Sequence, residues 1–266
     1  MLSLSDLNGL GEEMERRLQL RTSPIAVKLL QEERDIPEGA LRPKRDRGRH
    51  LALCQAFAMS RRENATVAML KEDQWCYLPV IAFGLSEPPE FFLEGNTFLK
   101  FAVGEPEAAR NLAMALPRLE YGKNIGVLSA PLSGASFEPD VVVVYCNTNQ
   151  LRCLLSAMKY KDGYLVQSTL DPGGACFQST VPVLQKGECQ VTVPCGGDRT
   201  HAMARDDEMI FSMPPCKLED LMHGLRVMDE AGRGYTRFAP DMRPEYPLSD
   251  LYLKAGALVG LDVKGK

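Results

Sequence analysis

Leu7, Leu10, Met14 and Leu18 recur at helical spacing behind Ser5 or Asp6, either of which can cap a helix, and predict an opening helix. The pattern then changes. After Thr22-Ser23-Pro24, the run Ile25-Ala26-Val27-Lys28-Leu29-Leu30 is largely apolar and predicts a buried strand. Gln31 to His50 is polar and basic, with Arg42-Pro43-Lys44-Arg45-Asp46-Arg47-Gly48-Arg49 at its centre. It reads as a solvated loop with the charge to steer an anion. Leu51 to Arg62 predicts a helix carrying Cys54 in its first turn, and Ala65 to Leu70 a short strand. Trp75-Cys76 then leads into an apolar stretch, Tyr77 to Leu85. Glu87-Pro88-Pro89 breaks the chain before a helix over Pro106 to Leu116.

From about Tyr121 the pattern starts again. Ile125 to Leu128 predicts a strand, Pro131 to Pro139 a turn, and Val141 to Tyr145 a valine-rich strand buried on both faces. Asn147 or Thr148 caps a helix running to Lys159, Gly163 to Thr169 predicts a strand, and Asp171-Pro172-Gly173-Gly174 turns the chain toward Cys176. Lys217 to Ala231 is amphipathic at helical spacing (Leu218, Leu221, Met222, Leu225, Met228). The tail holds Pro240, Pro244 and Pro247 and ends in a helix over Ser249 to Leu258, expected to wrap over the body as a cap.

The densest stretch is Gly187 to Pro214. Gln190 to Pro194 predicts a strand, Met209 to Met213 a returning strand, and Cys195-Gly196-Gly197-Asp198-Arg199 a tight loop between them. Two glycines permit positive φ and close backbone approach. The loop reads either as a plain hairpin turn with Asp198 and Arg199 solvated, or as a cradle for a small anion.

The halves also echo one another. Strand, helix with Cys54, strand and Cys76 come in the same order as strand, helix with Cys153, strand and Cys176, and the two cysteine spacings differ by a single residue. Aligning Cys54 with Cys153 also superimposes Ala58-Met59 on Ala157-Met158. The expectation is an α/β fold of mixed sheet and flanking helices. Its body, 1–216, divides into related halves, about 1–120 and 121–216, around a pseudo-twofold cleft, with 217–266 as a C-terminal helical cap.

Composition changes this picture little. A 266-residue chain with 45% hydrophobic and 25% charged residues is ordinary for a globular protein. A net charge of −4 gives no general attraction to nucleic acid or to an anionic membrane, and no apolar run is long enough to span a bilayer. The N-terminus lacks the basic and apolar regions of a secretory signal. Eight cysteines without export therefore point to a reducing cytoplasm, with thiols that act as ligands, nucleophiles or core filling. There is no phosphate loop, no GxGxxG after a strand, no HExxH and no GxSxG elbow.

Several of these marks occur together in a known family. Ser23-Pro24-Ile25-Ala26-Val27-Lys28, Leu53-Cys54-Gln55, Cys76 with Gly84-Leu85, and Pro139-Asp140-Val141-Val142 come first. Asn149-Gln150, Gly174-Ala175-Cys176, Val193-Pro194-Cys195-Gly196-Gly197-Asp198-Arg199 and Asp207-Glu208 follow. With these the chain resembles the DUF169 family, found mainly in archaea and anaerobic bacteria and named for lacking an assigned function. The resemblance covers the chain to about Leu221, and the last loop is its most specific part. Tyr77-Leu78-Pro79 stands where the family usually has glycines, and Cys153 lies outside its pattern. The resemblance supplies candidate positions and no activity.

The chemistry divides into two readings. Cys54, Cys76, Cys176 and Cys195 come from four segments, each beside a strand end or helix start. If they converge, they would ligate zinc or an iron–sulfur cluster of the 4Fe–4S type. Alternatively, the Gly196 and Gly197 amides with Arg199 bind a small anionic ligand, and Cys195 acts as a nucleophile on an acyl or carboxylate substrate. His201 is the nearest histidine for a base and Asp198 the nearest carboxylate. The expected protein is a cysteine-rich binding or redox protein with a metal centre or small anionic cofactor between its halves. The alternatives are a cysteine-dependent enzyme and a non-catalytic accessory protein. The partner is a small ligand, with homo-oligomerisation left open.

Overall fold

The computed structural model describes residues 2–236 and 250–261, in two units, 1–235 and 236–266. In the first unit Ser3, not Ser5 or Asp6, caps α1 (Leu4–Leu18). Its hydroxyl accepts from the Asp6 N–H, and Asp6 reaches back to the Ser3 N–H at 2.9 Å. This reciprocal pair satisfies two otherwise unpaired donors and sets the start of the helix.

The chain continues through β1 (Ile25–Leu30), α2 (Pro43–Arg47), α3 (Leu53–Glu63), β2 (Val67–Leu70), α4 (Tyr77–Ala82), α5 (Glu90–Leu93), α6 (Pro106–Ala115) and β3 (Gly126–Pro131). It then forms β4 (Val141–Asn147), α7 (Thr148–Met158), α8 (Ala175–Gln178), α9 (Val181–Lys186), β5 (Gln190–Thr192), α10 (Gly196–His201), β6 (Glu208–Met213) and α11 (Leu218–Glu230). In the second unit the described residues form α12 (Asp250–Leu258). Pro240, Pro244, Pro247 and Ser249 lie outside the described residues.

The six described strands make one sheet in the order β2-β3-β1-β4-β6-β5, and neighbours pair antiparallel throughout. At its centre Ile25 lies opposite Val143 and Val27 opposite Val141. Continuous apolar strands suit this antiparallel sheet because helices cover both of its faces. One face presents Val27, Met69, Val127, Val143, Tyr145 and Ile210 to side chains of α3, α4, α6, α8 and α9. The other presents Ala26, Leu128, Val144, Phe211 and Met213 to α1, α7 and α11. Gly224 brings α11 against α7, since a Cβ there would stand 2.4 Å from the Ala157 carbonyl oxygen.

Four expectations need correction. The basic passage is not a uniformly solvated loop. Pro43 opens α2, and Arg42 is buried against Asp73, its Nε donating to Oδ2 at 2.9 Å. Gly163 to Thr169 is not a strand; it runs along β5 and satisfies that edge through other groups. The Val191 N–H donates to Ser168 Oγ at 2.8 Å, and the Gln190 amide donates to the Thr169 carbonyl at 3.2 Å. The tight loop after β5 is instead the helix α10, although β5 and β6 pair as the strand pattern requires.

The fourth concerns the duplication, which the structure does not show. Strand order is symmetric about the β1–β4 boundary, but α3 covers one face of the sheet and α7 the other. A twofold axis between antiparallel neighbours is perpendicular to the sheet and keeps each helix on its own face. No such rotation relates the halves, and Cys54 and Cys153 are not equivalent. Cys153 belongs to the far face, where Arg152 donates to its Sγ at 3.2 Å.

Candidate cysteine site

Each of the four cysteines singled out in sequence stands at a helix start on the face of the sheet that carries Tyr145. Cys54 is in the first turn of α3, Cys76 caps α4, Cys176 is in the first turn of α8, and Cys195 caps α10. Cys54 and Cys176 are buried, whereas Cys76 and Cys195 are half-buried. Gly174 places α8. Its φ of 76° is left-handed, and a Cβ would lie 1.9 Å from the Phe177 ring. No residue with a side chain fits that turn.

The thiols sense one another. Burial pushes the Cys54 thiol far up, and the charges of Asp198, Cys195 and Cys76 push it further. Burial first, then Cys54, Asp198, Cys195 and Cys76, do the same to Cys176. Burial and Cys195 raise Cys76, against an opposing hydrogen bond from the Leu78 backbone. Every pair among the four is therefore within electrostatic reach. Without a compensating cation, Cys54, Cys76 and Cys176 hold their protons.

Beneath them lies a buried polar chain. Asp198 is 0% exposed; its Oδ1 accepts from the Tyr145 hydroxyl at 3.0 Å, and its backbone N–H donates to Cys195 Sγ at 3.4 Å. Burial lifts the Asp198 carboxyl to about 6, against the lowering influence of Tyr145 and Arg61. The Arg61 guanidinium stacks on the Tyr145 ring, 3.9 Å from its centroid, and pairs with buried Glu208 at 3.2 Å. Glu208 also accepts from the Arg205 N–H at 2.9 Å. Sequence reasoning missed Tyr145, Arg61 and Glu208 as site residues. The alternation of Val141, Val143 and Tyr145 places the phenol on the cysteine face, but nothing local names its partner.

The remaining expected residues lie elsewhere. Arg199 is exposed and turned away, donating to the Arg205 carbonyl at 3.1 Å and to Asp206 at 2.9 Å. His201 is exposed, and its ring meets Trp75 edge-on at 5.2 Å. Trp75 Nε1 in turn donates to Gln55 Oε1 at 3.0 Å, so α10 and α3 are joined across the rim of the site. His201 is thus not the group beside the Cys195 thiol; that group is Asp198, whose Oδ2 lies 4.0 Å from Sγ.

Gly196 and Gly197 open α10 and are absent from the residues of positive φ. A Cβ at Gly196 meets nothing within 4 Å. The amides are the first turn of a helix and not a cradle built on left-handed glycines. Among the described residues, no group of three or more His, Cys, Asp and Glu side chains stands where it would hold a single metal ion. The thiols share a neighbourhood without standing at tetrahedral zinc spacing, in which Zn–S bonds are ~2.3 Å. No helix of the described residues is long and apolar enough to cross a membrane.

Residues 13–224 match the DUF169 family, described as Uncharacterised ArCR. The chain is similar to the uncharacterized protein MJ0308 of Methanocaldococcus jannaschii, with 25% identity over 226 residues, covering 83% of this chain and 95% of that relative. No solved structure matches.

Proposed function

This chain belongs to the DUF169 family, and from that premise we propose that it is a four-thiolate protein whose Cys54, Cys76, Cys176 and Cys195 hold an iron–sulfur cluster. One observation carries the reading: four thiols from four separate segments stand at helix starts on one face of the sheet, each within the electrostatic reach of the others. Packing acidic groups together in an apolar site is costly, and a cationic group among them adds attractions that offset their mutual repulsion.

The donor set is all thiol, which suits iron–sulfur clusters and zinc alike. Four dispersed thiols, with no group among the described residues placed to hold a single ion, suit the larger of the two. Such a cluster supplies one-electron chemistry when bound. Around it the chain's own residues would provide amides at the helix starts to stabilise thiolate charge, and the Trp75–His201 contact to shield the rim.

Anaerobic purification or reconstitution, followed by a visible spectrum and analysis of iron, zinc and sulfide, tests the reading. About four irons and four sulfides per chain are expected, together with charge-transfer absorption lost in the serine variants of the four cysteines. Protein that retains neither iron nor sulfide under these conditions rejects it. Zinc without sulfide replaces the cluster with a structural ion.

A further inference from the structure

We propose that a cavity beside α4 and α5 binds a small monocarboxylate with a flat apolar body. The cavity measures ≈ 630 Å³, in the range of ~300–1,000 Å³ typical of small-ligand sites. Its floor is core: Val80, Ile81 and Phe92 line it and are themselves buried. Its walls are less usual. Tyr77 and Phe91 both line the cavity, yet Tyr77 is 49% and Phe91 61% exposed. Aromatic side chains left open beside an apolar floor form a slot that accepts a ring by stacking or edge contact.

The charge at this slot selects the ligand. Lys71 lines the cavity, and its Nζ donates to Ser86 Oγ at 3.1 Å. Among the described residues no carboxylate stands at ion-pairing distance from it; neighbouring Glu72 is taken by Arg42 at 2.6 Å. An open ammonium above an apolar slot recruits an anion. Glu87, exposed on the same lining, disfavours negative charge away from Lys71, so the ligand's carboxylate belongs at the Lys71 end. Thr97 lines the same cavity as Tyr77. Tyr77 also follows Cys76 directly at the start of α4.

The full chain, free of metal, is titrated with 8-anilinonaphthalene-1-sulfonate, a fluorescent monoanion with a flat apolar body. Saturable binding at one site is expected, displaced by benzoate and not by benzylamine. Lys71→Gln and Phe91→Ala each change an exposed side chain, and each is expected to weaken binding at least tenfold. Displacement by benzylamine as effective as by benzoate, or affinity unchanged in both variants, overturns the proposal.

Discussion

The Tyr145 hydroxyl donates to Asp198 Oδ1 at 3.0 Å and ties the central strand β4 to α10, the helix that Cys195 caps. The bond has two buried partners and no exposed alternative for either. Tyr145→Phe leaves Asp198 short of a donor, at an expected cost of about 1–3 kcal/mol when the carboxyl is charged. Denaturant unfolding of the metal-free protein at pH 8 reads this directly. The same variant at pH 5, where Asp198 is largely protonated, should lose less.

Asp198 also gives stability a pH dependence. Its folded carboxyl titrates at about 6, above the ordinary 3.8. The folded state therefore holds this proton more tightly than the unfolded chain. The Asp198 contribution is most favourable below the unfolded value, declines as pH rises from about 4 to 6, and leaves a deficit of roughly 3 kcal/mol above that. Asp198→Asn keeps an acceptor for Tyr145 and carries no charge. Thermal melts of the metal-free variant should show higher stability than the parent at pH 8 and a flatter profile between pH 4 and 6. An unchanged profile would mean that Asp198 titrates normally.

Two glycines near cysteines should respond in opposite directions. Gly174 needs its left-handed φ and the space beside Phe177, so Gly174→Ala is expected to destabilise by about 2 kcal/mol or more. Gly196 occupies a helical position with nothing within 4 Å of a Cβ, so Gly196→Ala should stabilise by about 0.5 kcal/mol. If Gly196→Ala folds more stably and yet fails to retain a metal centre, the glycine serves the ligand's approach and not the fold.

Metal loading should be strongly pH-dependent. Cys54, Cys76 and Cys176 are all raised by burial, and a thiol must lose its proton to become a ligand. The yield of cluster reconstituted from iron and sulfide is expected to fall steeply as pH is lowered from 8 to 6, read from the visible spectrum at each pH. A yield independent of pH would place the cluster away from these thiols.

Much of this architecture was legible because burial on one helix face or on both faces of a strand leaves a periodic trace. Leu7, Met14 and Leu18 announced α1, and Leu218, Leu221 and Leu225 announced α11; all six are buried. The valine run of β4 was equally plain. The four cysteines stood out in sequence because each sits where one regular element meets the next. What was not legible depends on contacts distant in sequence. No local pattern says which face of a sheet a helix will cover, so α3 and α7 looked equivalent and are not. The glycine pair imitated a turn, although six residues closed by Cys195 are enough for α10. Arg61 resembled any basic residue near a helix end until its Glu208 and Tyr145 partners were in place.

The pairing of Ile25 with Val143 orders events on the ribosome. The sheet's centre closes only after β4 has emerged, so β1 must wait through most of the first half of synthesis for one of its two partners. Such distant pairings are slow to form. The cysteine neighbourhood waits longer still, because Cys195 and Asp198 come after Cys54 by more than half the chain. Until then Cys54 and Cys76 are thiols without their companions. Any ligand held by all four is therefore received by a nearly finished protein and not by a nascent one.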